Sequence, residues 1–435
     1  MTTSQIRRRV DLQGIDSETI QGALQAIQGS FGLDWLSTTN QRHKVQRLWR
    51  RDDGLATGEL VTLGDSIKVV NAIDSKWTKE RIRDIKNNAQ NAHGYVFEIV
   101  VIAMLARAGM NVRPTKKNQA GIDAIVTYED GFEVRLSFKS FDVSAHEQFF
   151  LTESKATRKY VKQAFLSKIT AVMTVLQINE YLGKPEWEKV RKYIAKNPPV
   201  TSSVSFQEII SGKAVISFNH LAPGDGYGPF SSSHLSDTFL AISSHHKNEQ
   251  AGFESKVNKA AANMTNYADA ADNTANVVLV RLPPSAPLTA IQALCDKIIQ
   301  QPHNKSKLDA IVLYQPSATR NPAGTSITHY LRVVGAKQFM QGGHAMPFCA
   351  TMGIITNTKP RKELHCSNGN KFDIDDKYVY QAGDHFNVMR QTDQGMQGNL
   401  SSFAPGITMH TVVPLGSKSI ELTGKFPLSE DLVIL

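Results

Sequence analysis

The clearest pattern of polar and apolar positions begins at Trp77. The stretch WTKERIRDIKNNAQNA reads as a polar, charged helix, and it leads through His93-Gly94 into YVFEIVVIAMLARAG, apolar almost all round and stopped by Gly109. A helix without a polar face has to be buried, and a glycine after the last apolar turn is a normal terminator. Two β-prone runs follow, GIDAIVTY and FEVRLSFKS, separated by Glu129-Asp130-Gly131. Such runs joined by a glycine-containing turn predict a β-hairpin. Alternation in the second run puts Phe132, Val134, Leu136 and Phe138 on one face and Glu133, Arg135, Ser137 and Lys139 on the other.

The remaining chain is less regular. The first segment, to about Asp84, reads as helical over Ser17 to Ile27 and Thr39 to Arg51, with a short strand-like GELVTLGDSIKVV. From Thr152 to about Asn197 the pattern predicts long helices with basic residues outward, an inserted helical subdomain. Pro198 to Gln250, rich in Ser, Gly and His, is expected to loop over the sheet. From Phe253 to Gln315 helix, strand, helix and strand alternate, the rhythm of an α/β sheet being completed. Beyond Leu331 short β-prone runs (MGIITNT, KFDIDDKYVY, ITMHTVVPL, KSIELTG) are broken by turn residues. The expected fold class is therefore α/β. A basic, mostly helical region spans 1–84, a mixed-sheet domain flanked by helices spans 85–330 with a helical insertion at about 152–197, and a β-rich domain spans 331–435. No fixed-period repeat or low-complexity tract appears.

Charge adds a second constraint. Forty-nine Lys and Arg against 40 Asp and Glu give a formal charge of +9, which suits a polyanionic partner such as nucleic acid. A merely soluble basic protein fits equally well. The cluster Arg42, His43, Lys44, Arg47, Arg50 and Arg51 could meet phosphates, and could equally be a solvated helix face. The polar, basic start of the chain lacks the apolar core of a secretory signal, and no run approaches bilayer length. A cytoplasmic setting with no membrane partner is expected. Cys295, Cys349 and Cys366 are too few and scattered for a disulfide framework, and no C-x-x-C pair suggests structural zinc. Neither a Gly-x-Ser-x-Gly elbow nor a phosphate-binding Gly-x-x-x-x-Gly-Lys loop is present, so serine hydrolase and autonomous NTPase readings lack their central device.

Candidate chemistry starts with Glu98. A carboxylate inside YVFEIVVIAML costs on the order of several kcal/mol to bury unpaired, so a divalent cation or a nearby lysine must compensate it. Asp123, at the head of the strand in AGIDAIV, is the next acid that breaks an apolar pattern, and Lys139 follows on the second strand of the hairpin. A plainer account makes Glu98 and Lys139 a buried structural ion pair in an unrelated α/β domain.

A buried helix bearing Glu, a strand opening Gly-Ile-Asp, a tight turn and a strand ending in x-x-Lys-Ser resembles the core of the PD-(D/E)xK nuclease superfamily. The resemblance covers Ala92 to Ser140 well and Phe253 to Gln315 more loosely. It implies a restriction-endonuclease-like fold and a metal-dependent nuclease that hydrolyses phosphodiester bonds in DNA. It makes Asp123 the principal ligand of Mg²⁺ or Mn²⁺, Glu98 an accessory ligand, and Lys139 the residue that orients or deprotonates the attacking water. One departure stands out: the family's Asp or Glu two residues before the lysine is replaced by Ser137, a weaker, neutral ligand. Glu133 is four residues back, roughly 13 Å along a strand, and cannot simply substitute. The Phe138 carbonyl could contribute, since hard cations accept carbonyl oxygen, and Glu147, Glu153 and Glu254 are candidates for an acid reaching in from outside.

The resemblance further implies a prokaryotic restriction or anti-phage defence setting, or DNA repair, and leaves room for a homodimer or a helicase, ATPase or other subunit partner. Two alternatives stay open: a catalytically inactive subunit that keeps the fold to bind nucleic acid or scaffold a complex, and an RNA-cleaving enzyme. Arg42, Lys44, Arg47, Arg50, Arg51, Lys116, Lys117 and Arg135 are the candidate contacts to nucleic acid. His93, just before the apolar helix, could also meet phosphate, though a capping or surface role is the plainer reading. His234, His245 and His246 with Asp237 and Glu249 fit no strong zinc spacing and read as a loop group. His365-Cys366, Cys349 and His344 read as incidental.

Overall fold

The computed structural model describes residues 15–38, 43–51, 54–115, 121–165, 171–197, 204–221, 238–267, 273–300, 308–321, 324–335, 343–358, 363–365, 371–382, 389–392, 395–398, 408–415, 418–425 and 435. The chain opens with helices α1 (Ser17–Phe31), α2 (Leu33–Ser37), α3 (Lys44–Arg50), α4 (Gly54–Ile73), α5 (Ser75–Asn87) and α6 (Ala92–Arg107). Side-chain caps start two of them. The Asp16 carboxylate accepts from Thr19 N at 2.7 Å ahead of α1, and Asp74 from Trp77 N at 2.9 Å ahead of α5, each satisfying an N–H that the helix itself leaves open.

Strands β1 (Asn111–Pro114), β2 (Ala124–Thr127) and β3 (Glu133–Ser140) follow, then α7 (Ala145–Phe165), β4 (Ala171–Ile178) and α8 (Lys184–Lys196). Next come β5 (Val204–Ile210), β6 (Ala214–Leu221), β7 (Thr238–Ser244), α9 (Glu249–Tyr267), β8 (Thr274–Arg281), α10 (Leu288–Gln300), β9 (Ala310–Asn321) and β10 (Gly324–Gly335). The last part holds only short strands: β11 (Ile354–Thr356), β12 (Glu363–His365), β13 (Lys371–Asp373), β14 (Lys377–Ala382), β15 (Met389–Thr392), β16 (Gly395–Gly398), β17 (Thr408–Leu415) and β18 (Lys418–Lys425).

The main sheet is mixed, in the order β1-β2-β3-β8-β9-β10-β11. The β1-β2-β3 meander is antiparallel, while β3, β8 and β9 run parallel. Alternate residues of the central strands feed two separate cores. Val134, Leu136, Phe138, Val277, Leu279 and Val312 pack with α1, α4 and α6, and Val278, Val280, Ile311 and Leu313 pack with α9 and α10. Two covered faces make a helix-sheet-helix sandwich, which is why these parallel strands read as continuous apolar runs.

Three expectations need correction. GELVTLGDSIKVV is not a strand; it lies inside α4, where Thr57, Glu59, Thr62 and Ser66 are buried along with the apolar residues. A helix buried nearly all round shows no amphipathic period, so its Val and Thr content misled. The insertion is not all helical, because AVMTVLQI forms β4 between α7 and α8. Pro198 to Gln250 is not a run of loops, since its described residues form β5, β6 and β7. Together these strands make a second sheet, β14-β7-β4-β6-β5, with its own core around Phe150, Leu176, Trp187, Phe239 and Tyr378. Strands from beyond residue 331 complete both sheets: β11 pairs with β10, and β14 with β7. Among the described residues no helix is long and apolar enough to cross a membrane.

Candidate functional site

The hairpin explains how Asp123, Ser137 and Lys139 come together. Ala124 faces Leu136 across the β2-β3 ladder, and one further step of that antiparallel register sets Asp123 opposite Ser137. The backbone bond from Asp123 N to Leu136 O, 2.7 Å, holds this extension in place. The Asp123 carboxylate accepts through Oδ2 from Phe138 N at 2.7 Å and from Ser137 Oγ at 3.4 Å. Two residues further along β3, on the same face, Lys139 Nζ donates to Ser137 Oγ at 3.0 Å and to the Phe138 carbonyl at 3.2 Å, and it stands 3.9 Å from Asp123 Oδ2. Ser137 is fully buried and links the acid to the base.

Glu98 approaches from the opposite side of the strand on α6. Its neighbour Phe97 fixes that helix over the sheet: the ring packs edge-on against Phe138, 5.9 Å between centroids, and stacks on Tyr314 at 5.4 Å. The Glu98 side chain keeps only 12% of its surface exposed and meets Arg81 Nε of α5 at 2.7 Å. Neither atom of that contact makes a well-directed hydrogen bond, and both are buried. The pair is therefore Coulombic rather than a directed bond. Burial pushes the Glu98 carboxyl up to about 8; Arg81 and Lys139 oppose that rise, and the Asp123 charge adds to it. Glu98 thus lies within the field of both hairpin residues: burial favours its protonated form, and Arg81 favours the carboxylate.

Arg81 is the residue that the sequence reading missed. It also pairs with Asp84 at 3.0 Å, and its guanidinium lies over the Trp77 ring at 5.1 Å and near Tyr95 at 5.4 Å. On a helix as charged as α5, one more arginine carries no visible mark. The available signal was its position within Trp77, Ile82 and Ile85, the buried stripe of α5. The structural ion pair considered for Glu98 is thus with Arg81 rather than with Lys139.

The donor set for a divalent cation consists of two carboxylates, Asp123 and Glu98, one carbonyl, Phe138, and one hydroxyl, Ser137. Among the described residues, no group of three or more His, Cys, Asp and Glu side chains is arranged to hold a metal. The proposed stand-ins for a third acid do not supply one. Glu147 Oε2 accepts from Ser285 Oγ at 2.6 Å, Glu153 pairs with Arg191 at 2.6 Å, and Glu254 is exposed on α9. Glu133 turns to Arg113 at 3.2 Å. Magnesium is commonly held by one or two carboxylates with water and substrate phosphate oxygens completing the shell. The buried Glu98 carboxyl, with Arg81 beside it, and the partly exposed Asp123 carboxylate fit that kind of site.

Other predicted residues are spread out. Arg42, Lys116, Lys117, His234, Asp237 and Cys366 lie outside the described residues. Arg135 faces Ile125 across the hairpin. Arg47 and Arg50 sit in the last turn of α3, Arg51 caps it, and Arg50 Nε donates to Gln46 O at 3.2 Å. Lys44 instead reaches His93 and Asp142. His93 lies in the first turn of α6 and is buried, so it is not a surface residue. His246 stacks on His146 at 3.7 Å, and His245 packs against Tyr378 at 4.6 Å. Buried Glu249 begins α9. This histidine group borders the second sheet and shares no described contact with Asp123 or Lys139. His344 bonds Asp130 at 2.9 Å and stacks on Phe132, and Cys349 is a free, exposed thiol.

No protein-family model matches this chain, and no curated protein or solved structure matches it.

Proposed function

We propose that this protein is a metal-dependent nuclease of the PD-(D/E)xK type that hydrolyses phosphodiester bonds in DNA. One observation carries the reading. An aspartate and a lysine on adjacent strands meet over a shared serine, and a glutamate from a buried helix lies within the electrostatic field of both. The order of helix, hairpin, helix, strand, helix and strand, with β3, β8 and β9 parallel, supports it.

In this reading Asp123 and Glu98 would hold Mg²⁺ or Mn²⁺, with the Phe138 carbonyl beside them, and the ion would supply charge neutralisation at the scissile phosphate. Lys139 would do the rest. Tethered by Ser137 and the Phe138 carbonyl, its ammonium is positioned to orient a water and to balance charge developing on phosphorus. Burial of Ser137 holds the tether rigid, so the lysine is placed before substrate arrives.

A second reading, an inactive subunit that binds nucleic acid or scaffolds a complex, is favoured by two observations: among the described residues no third acid enters the site, and Arg81 already meets Glu98. One assay separates the two. Purified protein is incubated with linear, circular and single-stranded DNA and with RNA, in Mg²⁺, Mn²⁺ or EDTA. Asp123→Ala and Lys139→Ala are each expected to reduce cleavage at least about a hundredfold while binding is retained. Binding without cutting by the wild type in every metal would establish the scaffold reading instead. Cleavage confined to RNA would move the substrate but keep the site.

A further inference from the structure

Three residues meet beyond the lysine end of β3 in an arrangement that the hydrolytic site does not use. Lys44 of α3 places Nζ 2.7 Å from His93 Nδ1 on α6 and also contacts Nε2 of that ring. Both converge on one acid: Asp142 Oδ1 lies 3.1 Å from His93 Nδ1 and 3.5 Å from Lys44 Nζ. Arg281, at the end of β8, lies beneath. It is opposite Ser140 in the parallel ladder, buried, and close enough for its charge to act on both Lys44 and Asp142. Its Nε has no hydrogen-bond partner among the described residues.

The partners differ in freedom. Lys44 and His93 come from two packed helices, and the His93 side chain is buried, whereas Asp142 sits on the link between β3 and α7 with 52% of its side chain exposed. A partly buried cationic niche is thus closed by one solvent-facing carboxylate. If Asp142 turns outward, Lys44 loses that counter-charge and keeps the positive charges of Arg281 and Arg47 beside it, while Arg281 itself stays anchored deeper by Glu59 and the Leu435 main chain. An anion with more oxygens and more charge than a carboxylate would then satisfy the niche better.

We propose that Lys44, His93 and Arg281 form a phosphate-binding subsite, which Asp142 occupies when no ligand is present and vacates for a backbone phosphate of nucleic acid. Asp142 is three residues from Lys139 along the chain, so a strand engaged here would pass the hydrolytic site. The inference rests on the nuclease reading for its choice of ligand, but its test does not depend on cleavage.

Binding is measured calorimetrically in EDTA, first with inorganic phosphate and then with a short oligothymidylate lacking terminal phosphates. Lys44→Ala should weaken both by roughly tenfold, the scale of one lost charge-assisted contact. Asp142→Asn should tighten both several-fold, because the internal competitor is gone. A variant that merely misfolds cannot bind more tightly, so this gain separates the proposal from structural damage. Unchanged or weaker binding by a folded Asp142→Asn protein overturns it. Tightening for phosphate alone would overturn the assignment to nucleic-acid backbone. If both shifts appear and the wild type still cuts nothing, the subsite stands and the hydrolytic reading falls.

Discussion

Glu98 is the residue whose charge state decides most about this site. Burial lifts its pKa from the ordinary value of 4.5 to about 8 in the folded protein. An acid with a raised folded pKa favours the native state fully below 4.5. That contribution is then lost as pH climbs through the window up to about 8, because the unfolded chain releases its proton first. Metal-free protein should therefore lose up to about 1.4 kcal/mol per pH unit across that window from this one group. Glu98→Gln carries no proton to lose, and its denaturation midpoints in EDTA should vary less between pH 5.5 and 7.5. Parallel pH profiles for the two proteins would show that Glu98 does not hold the proton. Much of the site could be read from the chain because Glu98, Asp123 and Lys139 each break a local apolar pattern. Arg81 could not, since its role depends on a partner 17 positions away on another helix, and a charged helix gives no reason to single it out. Alternation along β3 sets Ser137 on the face of Lys139, but only the fold shows its buried hydroxyl joining Lys139 to Asp123.

At the scale of elements, local pattern succeeded where turn residues and run length bound an element and failed where they did not. The hairpin β2-β3, the apolar α6 and the alternation from α9 to β9 all fall where periodicity and turn residues placed them. Inside α4 polar residues are buried among the apolar ones, and a short run of that kind, like AVMTVLQI of β4, reads equally as helix or strand. The choice is made by packing. Helix α4 is held against α1 so closely that a Cβ on Gly64 would stand 2.1 Å from the Ala23 carbonyl oxygen. That contact is backbone, so neither helix can yield by rotating a side chain. Gly64→Ala should consequently destabilise by about 1 to 3 kcal/mol, even though alanine is the better helix former by about 1 kcal/mol. Gly29, on the same α1 helix with open space at its Cβ position, is the control. Urea midpoints for the two alanine variants should move in opposite directions. A neutral or stabilising Gly64→Ala would mean that the α1-α4 crossing is looser than described.

Across the whole molecule, contacts between residues far apart in the chain close the sandwich, and the longest of them lies directly under the phosphate niche. Leu435 N donates to Glu59 Oε1 on α4 at 3.0 Å, its carbonyl accepts from Arg281 on β8, and its side chain is only 2% exposed among the residues packed between α4 and the sheet. A separation of 376 residues is bridged by main-chain atoms, which no side-chain pattern could have announced. Buried Glu59 and Arg281 each lose a partner if that main chain is withdrawn, and a charged group deprived of a buried hydrogen bond costs at least about 2 kcal/mol. Leu435→Ala keeps both main-chain bonds and removes only apolar contacts, so deleting Leu435 should lower the urea midpoint further than the alanine substitution does. Because the Arg281 charge also acts on Lys44 and Asp142, the deletion should weaken phosphate binding in EDTA, whereas Leu435→Ala should not. Equal midpoints for the two variants would place the energy in the leucine side chain. Unaltered phosphate binding after the deletion would separate the anchoring of Arg281 from its part in the niche.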